Sequence, residues 1–127
     1  MADRGRIVIV EDDPGLNQAV LRLLQAAGFE AVGFDTATAA LADQSARKTA
    51  CLVVDVHLAD MTGYEFLHRL SLAGPLPPVI IVTAHDNASS RRQAQSIGAA
   101  EYLTKPFPGR LLVDAVKRIV TESSAKS

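Results

Sequence analysis

Short runs of aliphatic residues alternate along the chain with longer segments whose apolar positions recur every three or four residues. The first run, Ile7-Val8-Ile9-Val10, is followed by Leu16, Ala19, Val20, Leu23, Leu24 and Ala27, a spacing that predicts a helix. Asp13 supplies its N-cap, Pro14 its first position and Gly28 its stop. Ala31 to Phe34 reads as a second strand, with Thr36 capping an Ala-rich helix to about Ala46. Cys51 to Val56 is apolar except at Asp55, the pattern of a strand covered on both faces with a polar group at its carboxyl end. Gly63 opens a third helix with Phe66, Leu67 and Leu70 inward, and Gly74-Pro75-Leu76-Pro77-Pro78 breaks it before Val79-Ile80-Ile81-Val82. A fourth helix spans about Ala88 to Ile97. Only Ala94 and Ile97 anchor it, while Ser89, Ser90, Arg91, Arg92, Gln93, Gln95 and Ser96 favour solvent, so it should be the least firmly packed. Tyr102-Leu103 gives a fifth strand, and Leu111, Leu112, Ala115, Val116, Ile119 and Val120 a last apolar stripe.

Strict alternation of strand and helix predicts an α/β fold, (βα)5, with a doubly wound parallel sheet, right-handed crossovers and helices on both faces. The 127 residues suffice for one self-supporting domain, expected over 1–120, with 121–127 as a polar tail or the start of a linker. Thirteen basic residues nearly balance fourteen acidic ones, and with no basic run and no Trp the chain gives little support for direct nucleic-acid binding. The single Cys51 lies in an apolar run, reads as a buried small hydrophobe and fits a cytoplasmic location. No apolar stretch approaches the ~18 residues of a membrane span, and the N-terminal residues do not read as a signal peptide.

In an open parallel sheet, binding groups collect beyond the carboxyl ends of the strands, near the point where strand order reverses. Strand one is followed there by Glu11-Asp12-Asp13, strand three ends in Asp55, strand four in Thr83-Ala84-His85, and strand five runs into Lys105-Pro106. Carboxylates from two adjacent strands repel one another, so the cluster must raise a pKa or bind a cation, and a hard, oxygen-seeking ion such as Mg2+ meets that need. Asp13 before Pro14 is explained by capping alone.

The motifs IVIVEDDP, LVVDVHLADMTG, IIVTAH and YLTKPF, in this order and at strand ends, resemble those of the receiver domain of two-component response regulators, over about Arg6 to Val120. Thr83-Ala84-His85 is similar to a pattern of the nitrogen-fixation type of regulator. The resemblance implies a flavodoxin-like sheet of order 2-1-3-4-5, with Asp55 as phosphoacceptor. It implies Mg2+, or alternatively Mn2+, held by Asp12, Asp55 and the main-chain carbonyl of His57, with Glu11 assisting through water. Lys105, Thr83 and the main chain of Ala84 would contact the phosphoryl group, Tyr102 would be an aromatic switch with Thr83, and Pro106 a structural residue after a cis bond. The partners implied are a sensor histidine kinase or phosphotransfer protein, and a downstream target or an output domain reached through the helix 4, strand 5, helix 5 face. The expected form is a monomer that could dimerise on phosphorylation. Catalysis would be limited to the domain's own phosphorylation and dephosphorylation.

The chain departs from the family pattern at Glu11, where Asp is frequent, at Ala59, where proline is usual, and at Thr62, where an acidic or amide residue is usual. The last two departures are expected to loosen the loop after the acceptor. His57 and His85 read either as exposed loop residues or as groups that tune dephosphorylation or invite a softer metal. His68, on the third helix, is expected to be solvated.

Three rival functions fit less well. A haloacid-dehalogenase-like phosphatase needs a second Asp two residues after its nucleophile, and position 57 is His. A flavodoxin-like FMN carrier needs a phosphate-cradling loop after strand one, where this chain puts three acids. A degenerate receiver acting only as a docking module is disfavoured by Asp55, Asp12 and Lys105 together. Only about seven residues follow the five βα units, which suits a stand-alone receiver or a fragment ending in a linker.

Overall fold

The computed structural model describes residues 6–43, 46 and 48–126. Five strands, β1 (Arg6–Val10), β2 (Glu30–Phe34), β3 (Cys51–Asp55), β4 (Val79–Thr83) and β5 (Glu101–Thr104), alternate with five helices. These are α1 (Pro14–Ala26), α2 (Ala37–Ala42), α3 (Gly63–Ser71), α4 (Ala88–Ser96) and α5 (Gly109–Lys126). The sheet is parallel, in the order β2-β1-β3-β4-β5. Strand order therefore reverses at β1, and the crevice lies between the carboxyl ends of β1 and β3.

Alternation along the inner strands sorts side chains onto two cores. Val8, Val10, Leu52, Val54 and Ile81 pack with residues of α2, α3 and α4, including Phe66, Leu67 and Ala94. Ile7, Ile9, Val53, Ile80 and Val82 pack with Val20 and Leu24 of α1 and with Leu112, Ala115, Val116 and Ile119 of α5. With both faces covered, the inner strands have no solvent side and read as continuous apolar runs. Cys51 is fully buried, and burial pushes its thiol up to about 12, so it is an unreactive part of the second core.

The local signals select the expected boundaries in several places. Asp13 caps α1, its carboxylate accepting from the backbone N–H groups of Gly15 and Leu16 at 3.0 and 3.3 Å. Thr36 caps α2, Thr62 caps α3 and Asn87 caps α4.

Four expectations are corrected. Helix α2 ends at Ala42, because Asp43 is extended (φ −103°, ψ 126°); of the stretch expected to continue it, residues 44 and 45 lie outside the described residues. Helix α5 continues through 121–126, the segment expected as a tail, and Ser127 lies outside the described residues. Leu111 and Leu23 are substantially exposed, because the buried stripes are narrower than the apolar pattern: Leu112, Ala115, Val116 and Ile119 on α5, and Asn17, Val20 and Leu24 on α1. Ser90, expected in solvent, is buried. The Tyr64 hydroxyl donates to its carbonyl at 2.7 Å and pairs with its Oγ at 3.0 Å, so a hydrogen bond supplies the anchor that α4 lacks in apolar side chains.

Candidate functional site

The crevice collects the groups that the strands deliver. Glu11 and Asp55 are buried and Asp12 is half-buried, and carboxylate oxygens of all three lie within 4.8 Å of one another. Lys105, from the loop after β5, reaches between them: its Nζ donates to Glu11 Oε1 at 2.9 Å and to Asp55 Oδ2 at 3.0 Å. The other oxygen of Asp55 accepts the backbone N–H of His57 at 3.2 Å.

The electrostatics follow from this crowding. Burial, aided by the Asp55 charge, raises the Glu11 pKa above the usual carboxylate value although Lys105 and the Asp13 N–H oppose it. Burial works to lower the Lys105 pKa, but hydrogen bonds to both carboxylates outweigh it, so the ammonium is held above its ordinary value. One ammonium faces three carboxylates, leaving a site of net negative charge. That donor set, all oxygen and partly open at Asp12, fits a hard divalent cation such as Mg2+.

Thr83 is fully buried at the end of β4, and its hydroxyl accepts the N–H of His85 at 2.9 Å. The exposed Ala84 follows it, and the Thr83 carbonyl accepts the backbone N–H of Lys105 at 2.8 Å, which joins the β4 and β5 loops. The Lys105–Pro106 peptide is cis. Tyr102 is half-buried on β5, where it stands beside Ile81 of β4. Its hydroxyl donates to Asp86 Oδ1 at 3.1 Å, and the Arg91 guanidinium lies 4.7 Å from the ring centroid while donating twice to the same Asp86. The structure thus brings Glu11, Asp12, Asp55 and Lys105 together, with Thr83 on the neighbouring strand, and ties Tyr102 to Asp86. Glu11 touches Lys105 directly. His57, His68 and His85 are exposed.

Four supporting roles escaped the sequence reading. Asn17 Nδ2 donates to the carbonyls of Glu11 at 2.9 Å and Phe34 at 3.1 Å, fixing the chain where it turns into the acidic pair. Its signal was an amide inside a helical pattern, where such residues are unfavourable unless bonded. Asp60, in the loop after β3, accepts from the N–H groups of Ala37 and Thr38 and from the Thr38 hydroxyl, which holds its carboxyl down to about 2. This bond set, the His57–Thr62 bridge and the Thr62 cap organise the loop that Ala59 and Thr62 were expected to loosen. Gly63 lies so close to β3 that an added Cβ would meet the Asp55 carbonyl oxygen. Tyr64 completes the set through its bond to α4.

A family model described as the response regulator receiver domain matches residues 7–117. The chain belongs to this family and is a receiver domain of two-component response regulators. It is 34% identical over 113 residues to the response regulator protein FleR of Pseudomonas aeruginosa, covering 89% of this chain and 24% of FleR. Over 129 residues it is 30% identical to the transcriptional regulatory protein FixJ of Bradyrhizobium diazoefficiens, covering 100% of this chain and 63% of FixJ. The chain therefore spans between about a quarter and under two thirds of these relatives. Among solved structures, a CheY-like receiver domain from Methanospirillum hungatei superposes with a TM-score of 0.89 at 27% identity, covering 96% of this chain and 98% of that one. The beryllofluoride-activated DrrB receiver domain gives 0.82 at 32% identity, covering 91% and 97%. Among the described residues no helix is long and apolar enough to cross a membrane.

Proposed function

We propose that Asp55 accepts a phosphoryl group from a histidine kinase or phosphotransfer protein and that the resulting acyl phosphate changes what the domain binds. The observation that carries this reading is the Lys105 ammonium, bonded at once to Asp55 and Glu11 at the mouth of an acidic crevice. An Asp55 carboxylate oxygen forms a bond to phosphorus as the phosphorus–nitrogen bond of a phosphohistidine donor breaks, and the leaving imidazole keeps the bonding pair. Lys105 stays with the Asp55 oxygen and offsets negative charge as the donor approaches. Mg2+ or Mn2+ held by Asp12, Asp55 and the His57 carbonyl, with Glu11 beside it, would supply further charge neutralisation for the in-line transfer. The Thr83 hydroxyl, free to donate, and the Ala84 N–H supply hydrogen bonds to the transferred group.

Turning Thr83 toward a phosphoryl group breaks its bond to the His85 N–H, and Tyr102, half-buried and with its hydroxyl bonded to Asp86 at the surface, can then move inward against β4. Helix α4 would move with it, altering the α4, β5, α5 face that meets a target or an output domain. The domain catalyses nothing beyond its own phosphorylation and dephosphorylation, works in the cytoplasm, and is a monomer that dimerises at most on phosphorylation.

Incubation with acetyl phosphate and Mg2+ followed by intact mass spectrometry tests the reading. One gain of roughly 80 Da is expected for wild type and none for Asp55→Asn. Undiminished labelling of Asp55→Asn places the acceptor elsewhere.

A further inference from the structure

Two histidines stand beside the acidic crevice with their imidazole rings outside it. His57 lies two residues beyond Asp55 on the β3–α3 loop, and His85 two residues beyond Thr83 on the β4–α4 loop. Their rings are 4.9 Å apart between centroids and nearly perpendicular, at 86°. Both residues are exposed, and this ring contact is the one interaction either imidazole makes among the described residues. Beside them lies a cleft of about 240 Å³, lined also by Thr62, Tyr64, Asn87 and Gln93, with no carboxylate or basic side chain besides the two histidines.

We propose that His57 and His85 form a two-imidazole site for a borderline divalent ion such as Zn2+, separate from the hard-cation site in the crevice. With metal–nitrogen bonds of about 2.0–2.1 Å and a nitrogen–metal–nitrogen angle of about 90–110°, two imidazoles sharing an ion have centroids roughly 4.5–5.2 Å apart. The observed spacing falls within that range before any ion is added. Because both rings are exposed, turning a nitrogen of each toward a shared point disturbs no core contact. Water and, from the cleft wall, amide or hydroxyl oxygens complete the coordination.

Ligand softness keeps the two sites distinct. Imidazole nitrogen suits Zn2+, Ni2+ and Cu2+, whereas the all-oxygen crevice suits Mg2+. The only cysteine, Cys51, is buried and does not compete. A Zn2+ ion on this pair would tie the β3–α3 loop to the β4–α4 loop across the rim of the crevice. The proposal stands on ring geometry alone and holds whether or not Asp55 is phosphorylated.

The chain has three histidines, and His68, exposed on α3, is an internal control. The test is a Zn2+ titration of the untagged full chain at saturating Mg2+, followed by the imidazole NMR signals and by calorimetry. The His57 and His85 signals should move together and saturate at one Zn2+ per chain, with His68 unmoved. His57→Ala and His85→Ala should each weaken Zn2+ binding at least tenfold, and His68→Ala should leave it unchanged. Parallel shifts of all three histidines, no shift of His57 and His85, or equal affinity in the three variants would overturn the proposal. The wild-type NMR result decides even if a variant folds poorly.

Discussion

The ammonium of Lys105 lies 3.0 Å from Oδ2 of Asp55, a residue fifty positions earlier in the chain, and 2.9 Å from Oε1 of Glu11. Removing it leaves two buried carboxylates facing each other without a cation. Lys105→Met is therefore expected to lower stability by about 2–4 kcal/mol at pH 7, measured by urea unfolding without added metal. Since the folded-state Lys105 pKa is raised above 10.5, its stabilisation is complete below that value and is lost as pH rises through the higher folded value. The gap between wild type and variant should close in that alkaline window.

Binding a divalent cation to the native state alone must raise the melting temperature by mass action. At Mg2+ about tenfold above its dissociation constant the gain is about 1.4 kcal/mol. Wild type is expected to show it, and Asp12→Ala to lose most of it, in melting curves with and without EDTA. An equal shift in both proteins would remove Asp12 from the site.

Asp60 ties the loop after β3 to the start of α2, and its pKa is lowered from 3.8 to about 2 by its bonds to Thr38 and Ala37. A depressed carboxyl pKa stabilises the fold above its unfolded value and ceases to do so as pH falls through its folded value. Asp60→Ala should melt lower than wild type at pH 7, with a constant difference down to about pH 4 that closes toward about pH 2. A difference that persists at pH 2 would mean that the carboxylate is not its source.

Helix α4 is held by Ala94 and by the Tyr64–Ser90 hydrogen bonds. Tyr64→Phe should cost about 1 kcal/mol and speed amide exchange over residues 88–96 roughly fivefold, with smaller changes in β1 and β3. Beryllofluoride with Mg2+ should alter exchange in the same segment of wild type. Unaltered protection there, with changes confined to α1 or α2, would contradict the proposed signalling face.

At Gly63 an added Cβ would sit 2.3 Å from the Asp55 carbonyl oxygen. The backbone of β3 would have to move, so Gly63→Ala should lose about 1–3 kcal/mol and label more slowly with acetyl phosphate. Normal labelling at normal stability would show that the loop yields without disturbing Asp55.

The strands, the caps at Asp13 and Thr36 and the position of the site were legible in the sequence because each rests on short-range rules. A both-faces-buried strand must be apolar throughout, and an acid at its carboxyl end has only the crevice to face. Helix extents were less legible. A polar residue such as Asp43 neither demands nor forbids a last turn, and the polar pattern of 121–126 does not distinguish a helix from a tail.

Sequence periodicity and strand-end chemistry by themselves determined the (βα)5 fold and the convergence of Glu11, Asp12, Asp55 and Lys105 on one edge. Only the tertiary structure decided the pairings that need two distant segments at a common distance: Lys105 between Glu11 and Asp55, Asn17 on the Glu11 and Phe34 carbonyls, and Asp60 on the start of α2. It likewise decided Tyr64 against Ser90 and the meeting of the His57 and His85 rings. The reason is that apolar periodicity records which face of an element is buried, a one-body property. A hydrogen bond between side chains depends on the relative placement of two elements to within a fraction of an ångström, and no residue pattern along one chain segment carries that information.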